Sequence, residues 1–177
     1  MVKFDKVLIF AHDEDQQETH QIQSYLIHDL QGKIRNKEIS DYFELRVLEA
    51  IFKSSLKYLK ITQSQLLPQI EANLSTLDVE VSLESLKGLL LLKNELTMFR
   101  KQTEMVSEMY SSILRNEDDL NAMYLTETNR KTPRTRSNHL EVEYLLEHYL
   151  CLVEEISNVN KTTMMTIRST ESLIQLS

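Results

Sequence analysis

The chain has 177 residues, with two glycines, two prolines, one cysteine and a formal net charge of −7. That length supports one sizeable core, the scarcity of chain breakers favours long helices, and 41% hydrophobic with 27% charged residues excludes a disordered chain. The acidic balance excludes nucleic acid as the main partner, which needs a basic face, and a lone Cys151 excludes an internal disulfide and a cysteine-based metal site.

In chain order, Lys6–Phe10 (KVLIF) reads as a strand opening into the acidic HDED. Its apolar run is too short for a signal peptide, and acids follow at once. A single strand is not stable alone, so either other strands precede it in a longer protein or it packs as an orphan; the expectation is a small, truncated sheet in an excerpt of a longer protein. Gln16–Lys33 has helical spacing at Ile22, Leu26 and Leu30, closed by Gly32. From Tyr42 an apolar stripe runs through Leu45, Leu48, Phe52, Leu56, Leu59, Leu66, Ile70, Leu74, Leu77 and Val81, with Gln63 filling a gap. Pro68 predicts a kink or two successive helices there, and Ser75–Asp78 a second break.

From Ser82 the stripe resumes at Leu89, Leu92, Leu96, Phe99, Thr103, Val106, Tyr110 and Ile113, alternating by three and four as a heptad does, and should end near Arg115. Asp118 or Asp119 is placed to cap a short helix over Leu120–Tyr124. Thr126–Asn138 contains Pro133 and the basic residues Arg130, Lys131, Arg134 and Arg136, and reads as a flexible loop. The last segment keeps helical spacing at Val142, Leu145, Tyr149, Leu152, Ile156, Val159, Thr163, Ile167, Thr170 and Ile174. It would span roughly 50 Å, and its stripe turns polar, as in a stalk that leads elsewhere.

No segment reaches the ~18 apolar residues of a membrane span; the longest run, Gly88–Leu92, is flanked by Lys87 and Lys93. The expected fold class is α+β, predominantly long α-helices in a bundle with a stalk, plus a small truncated β-sheet. As organisation, residues 1–177 are expected to form one domain. Residues 1–40 are the remnant of a small α/β part, 41–115 the long helices, 126–138 a flexible loop and 139–177 the stalk.

The sequence has no nucleophile elbow, glycine-rich phosphate loop, HExxH or EF-hand loop, and no basis for an enzyme. Its histidines have no ligand spacing; His20 and His28 are two helical turns apart, too far for one ion. The acidic run Glu117, Asp118 and Asp119 has two readings. Adjacent carboxylates repel one another and a divalent cation relieves this, with magnesium touching one or two of them and keeping its waters. Alternatively the run is a solvated linker whose aspartate caps the next helix.

Five stretches together resemble one family. LRNEDDLNAMYLTE (Leu114–Glu127) is similar to the end of the second long helix in CorA-superfamily magnesium transporters. FELRVLEAIF (Phe43–Phe52) resembles the family's PFEFRALEAIL, LLLKNELTMFRK (Leu90–Lys101) its heptad helix, and LEVEYLLEHYL (Leu140–Leu150) the LEMLLEAYY start of its stalk. KVLIF fits the last strand of the family's small sheet. Order and spacing agree along nearly the whole chain, and the wording is nearest the eukaryotic mitochondrial branch, particularly its fungal members.

The resemblance implies a pentamer in the mitochondrial inner membrane with this domain in the matrix. The membrane spans and the glycine-methionine-asparagine signature are absent from this chain. The implied role is regulatory sensing of magnesium, bound weakly as Mg2+, with identical or related subunits as partners and no nucleic acid. Carried over by motif, the candidate metal ligands are Glu117, Asp118 and Asp119, followed by Glu44 in FELR and Glu95 in KNELTMF. Leu91, one turn before Glu95, is apolar, and Asn116 shortens the acidic run relative to members with four acids. Two further readings are a non-conducting adaptor that modulates a related channel and a generic coiled-coil interaction domain.

Overall fold

The structure is a computed structural model and describes residues 1–3, 5–9, 17–35, 42–130 and 138–176. Six helices account for 88% of the described residues: α1 (Gln17–Arg35), α2 (Phe43–Val79), α3 (Leu83–Leu114), α4 (Glu117–Ala122), α5 (Leu125–Arg130) and α6 (Leu140–Leu176). The long helices fall within three residues of the stretches expected from the stripes, and the fold is predominantly helical.

The expected small sheet is absent among the described residues. The N-terminus instead makes one antiparallel bridge, Val2 with Val7. The Met1 ammonium donates to the Leu8 carbonyl at 2.8 Å, Leu8 N–H returns to Met1 at 2.9 Å, and Lys3 N–H donates to Lys6 at 2.8 Å. These close bonds turn KVLI back on the first residues, leaving no second strand for a ladder. Phe10, the last residue of the expected strand, lies outside the described residues. The apolar side chains still find a core, since Val2 and Val7 pack against Leu30, Val47 and Ala50.

Three helical expectations also need correction. α1 does not stop at Gly32 but runs to Arg35, because Ile34 packs on the same Leu30 cluster and holds the turn beyond the glycine. α2 is not divided at Pro68 or at Ser75–Asp78. Proline removes only the bond to the carbonyl of Ser64; Ser64 and Pro68 are both exposed, so water can serve that carbonyl. Further on, the Ser75 and Thr76 hydroxyls donate back to Glu71 and Ala72 at 2.9 and 3.0 Å within an unbroken helix. Thr126–Arg130, expected in a loop, is part of α5; residues 131–137 lie outside the described residues.

The chain divides into two compact units. The first comprises Met1–Tyr58 with Tyr110–Leu150. Its core contains Leu45, Val47, Ala50, Phe52, Leu56, Tyr110, Leu120, Tyr124, Val142, Leu146 and Tyr149, all buried. Phe52 meets Tyr110 edge-on at 5.0 Å and Tyr149 tilted at 5.6 Å, geometries in which ring edges face ring faces. Lys57 lies 3.5 Å over the ring of Tyr25, and Lys53 pairs with Asp29 at 3.2 Å.

The second unit comprises Leu59–Met109 with Cys151–Ser177. Leu66, Ile70 and Leu77 of α2, Leu89, Leu96 and Phe99 of α3, and Val153, Ile156, Met164 and Ile167 of α6 are buried there. Ser82 begins α3 by accepting from Ser85 N–H at 3.1 Å, a side-chain cap for an otherwise orphaned amide. Along α6 the buried row keeps Val142, Tyr149, Ile156 and Ile167 of the expected stripe and differs at the positions between them. Leu146, Val153 and Asn160 are buried, while Leu145 and Leu152 are half-buried and Val159 is exposed. Both rows are apolar over most of their length, so periodicity cannot choose between them. Gln63 of α2 chooses, donating to the Ile156 carbonyl at 3.1 Å and to Asn160 Oδ1 at 2.9 Å.

Candidate functional site

The acidic run lies in the first unit, at the start of α4. Glu117, Asp118 and Asp119 form the first turn of that helix, and all three are exposed. The cap is Asn116 rather than an aspartate. Its backbone is extended (φ −118°, ψ 102°), and its side-chain oxygen accepts from the amides of Asp118 at 3.1 Å and Asp119 at 3.4 Å. Its side-chain nitrogen donates to Asp119 Oδ2 at 2.9 Å. Asparagine can both accept and donate here, which a fourth carboxylate could not. Three acids beside the free amides of a helix start also have a local electrostatic role.

Glu44 sits in the first turn of α2 and is 1% exposed. Its carboxylate accepts from Thr126 N–H at 2.8 Å and from the Thr126 hydroxyl at 2.7 Å, which fixes the start of α5. Beside it the Tyr42 phenol donates to Glu127, and Tyr42 meets Tyr124 edge-on at 5.0 Å. The Tyr124 phenol oxygen in turn accepts from Val142 N–H at 3.3 Å, satisfying an amide in the first turn of α6. Glu44 is therefore occupied within its own unit, joining the helix that follows the acidic run to α2. Glu95 is exposed on α3, in the other unit, as is Leu91.

Among the described residues no three histidine, cysteine or acidic side chains converge in a way that could hold a metal ion. What the structure brings together is Glu117, Asp118 and Asp119 in one exposed turn; Glu44 is bonded instead to Thr126, and Glu95 belongs to the second unit. The sequence reading did not identify Thr126 as the partner of Glu44 or Asn116 as the cap. An asparagine three residues before an aspartate, ahead of an apolar residue, carried the cap signal, but no local pattern links positions 44 and 126.

No described helix is long and apolar enough to cross a membrane. A family model described as "Magnesium transporter MRS2-like" matches residues 1–177. The chain is 30% identical to the mitochondrial inner membrane magnesium transporter mrs2 of Aspergillus fumigatus, covering 99% of this chain and 30% of that protein. It is 31% identical to the mitochondrial inner membrane magnesium transporter LPE10 of Yarrowia lipolytica, over 99% of this chain and 39% of that protein. It is likewise 31% identical to the mitochondrial magnesium transporter MRS2 of Saccharomyces cerevisiae, over 99% of this chain and 36% of that one. The chain thus spans about a third of the length of the curated relatives it matches.

Proposed function

The chain belongs to the MRS2-like magnesium transporter family, and from that premise we propose that it is the magnesium-sensing, matrix-side regulatory domain of a mitochondrial inner-membrane magnesium transporter. The observation that carries the proposal is the match across the full 177 residues, with relatives named as mitochondrial inner membrane magnesium transporters. The family is one of transporters, not of enzymes. A transporter whose inner-side domain binds the transported ion can be biased by it, provided the ion prefers one state of the gate.

The exposed carboxylates of Glu117 and Asp118 are the groups in the acidic run with no described partner of their own, whereas Asp119 is engaged by Asn116. A turn that offers two or three exposed carboxylates suits a magnesium ion that retains most of its waters. An identical or related subunit is the natural source of further ligands. Affinity on the order of millimolar is expected for so few charged ligands.

The test is thermal unfolding of the chain in magnesium and in sodium at matched ionic strength. Magnesium at ten times Kd adds about 1.4 kcal/mol of stability, a rise of a few degrees for a chain of this size. Asp118→Ala with Asp119→Ala should remove part of that rise, and in the full-length protein should weaken inhibition of uptake by matrix magnesium. Equal stabilisation by sodium would reduce the acidic run to a capped, solvated turn.

A further inference from the structure

In the second unit the outward face of α3 is unlike that of α2. α2 exposes no large apolar residue before Val79, as a solvated helix should, whereas α3 exposes Leu91, Met98, Met105 and Met109. Leu91, Met98 and Met105 recur every seven residues, so they form one row along the helix, 70%, 68% and 60% exposed. Two further columns flank the row at the same step. Lys87, Asn94, Lys101 and Glu108 lie on one side, and Gly88, Glu95, Gln102 and Met109 on the other. All but the half-buried Gly88 are exposed. None of the four charged side chains has an ion-pair partner among the described residues.

The size of the row indicates a folded partner. Its apolar side chains expose roughly 100 Å² each, about 400 Å² with Met109. A specific interface takes about 800 Å² from each partner, a little over half of it apolar, so the row and its flanks supply that area. Methionine adapts readily to an opposing surface. The pattern of charge identifies the partner as a second copy, because the face is complementary to itself when turned end for end about Met98. Leu91 then meets the partner's Met105, and Met98 the partner's Met98. On one flank Lys87 comes level with the partner's Glu108, and Asn94 with the partner's Lys101. On the other, Glu95 comes level with the partner's Gln102, and the bulk of Met109 falls over the partner's Gly88. Each pair matches to within one residue, ~1.5 Å along the axis. A parallel pair is worse. It sets Glu84, which continues the row seven residues before Leu91, against the partner's Glu84, and Met109 against the partner's Glu108.

We propose that α3 is a self-association surface through which two copies of this chain pair antiparallel, with Leu91, Met98 and Met105 as the apolar centre and an ion pair between Lys87 and the partner's Glu108 at each end. The charged pairs set direction more than affinity. The contact is isologous and closes at two copies. Within each copy α6 runs against α3, since Lys93 pairs with Glu171 while Ser107 lines one cavity with Ser157. The two α6 helices therefore leave the pair in opposite directions. Such a pair joins chains that approach from opposite sides, rather than side-by-side subunits of one assembly, a role beyond magnesium sensing and independent of it.

Sedimentation equilibrium of the chain over micromolar to millimolar concentrations tests the pairing. The expected result is a monomer–dimer equilibrium, weakened on the order of a hundredfold in M98D/M105D. Both side chains are exposed, so helix content by circular dichroism should be unchanged. K87E and E108K should each weaken pairing alone by roughly threefold to tenfold. An equimolar mixture of the two should pair at least as tightly as the wild type, because each variant then faces the charge it lacks. A monomer at every concentration, a species larger than two copies, a dimer insensitive to M98D/M105D, or a mixture that pairs no better than its components would overturn the proposal.

Discussion

Glu44 and Thr126 are joined twice: one buried carboxylate accepts from both the backbone amide and the hydroxyl of a residue 82 positions later. The contact joins the first turn of α2 to the first turn of α5, directly after the short helix that carries the acidic run. Glu44→Ala leaves two donors without their partner inside the protein, so a loss of about 3 kcal/mol is expected, in the range for hydrogen bonds to a charged group. Glu44→Gln keeps one acceptor oxygen and should cost about half as much. Urea unfolding measures both. If Glu44 supports the fold rather than the ion, the two variants lose stability yet keep the wild-type increment on adding magnesium.

Asn116 gives a second prediction. Asn116→Ala removes the acceptor for two amides and should cost about 1 kcal/mol. α4 has six residues and cannot sustain itself, so the opening is local. Hydrogen exchange at the Asp118 and Asp119 amides should accelerate while the Tyr110 and Val142 amides remain protected. Asn116→Asp keeps an acceptor but loses the donor to Asp119 and adds a like charge. Without magnesium it should therefore be less stable than the wild type, and its response to magnesium should be steeper.

The long helices were legible because their buried residues recur in steps of three and four, as from Leu89 to Tyr110. The site was legible only in part. The exposed acids are consecutive, so their cluster is visible in the sequence, but Glu44 with Thr126 and Gln63 with Asn160 pair across 82 and 97 positions. Nothing local encodes either pair. The same holds for the row along α6: Leu145 and Leu146, or Leu152 and Val153, serve equally well as core by composition, and the polar contact of Gln63 with Asn160, which marks the buried row, is not legible locally. The strand expected at Lys6 failed for the opposite reason. Its composition suits a strand, but strand pairing needs a neighbour, and the described residues supply one bridge.

Two tyrosines predict the behaviour at high pH. Burial, reinforced by the nearby charges of Glu49 and Asp29, pushes the Tyr149 phenol up to about 12. Burial and then Tyr149 itself raise Tyr110 as well. Both phenols ionise more readily in the unfolded chain, where the ordinary value is 10.0. Their contribution to stability is therefore complete below pH 10 and is lost as the pH rises toward 12. Each should lower stability by about 1.4 kcal/mol per pH unit within that window. Tyrosinate absorbance should rise together with loss of helix by circular dichroism, and in Tyr149→Phe the fall in stability between pH 10 and 12 should be shallower.

Asn160 carries the last prediction. It is completely buried, its oxygen accepts from Gln63, and its side-chain nitrogen has no partner. An unpaired buried amide nitrogen costs about 1–3 kcal/mol. Asn160→Leu removes that cost and adds apolar area of similar volume. It gives up one hydrogen bond from Gln63, which still donates to the Ile156 carbonyl. A net gain of about 1 kcal/mol in unfolding free energy is expected. The gain should come with a loss of definition, since a single buried asparagine can fix the register of packed helices at a cost in stability. With leucine at 160, Val159 and residue 160 become alternative core positions, and α6 loses the polar contact that selects between them. Amide exchange along residues 153–167 should then be faster in Asn160→Leu than its higher melting temperature implies. A variant that is both more stable and equally well protected would show that apolar packing alone selects the row, and that the Gln63 contact merely follows it.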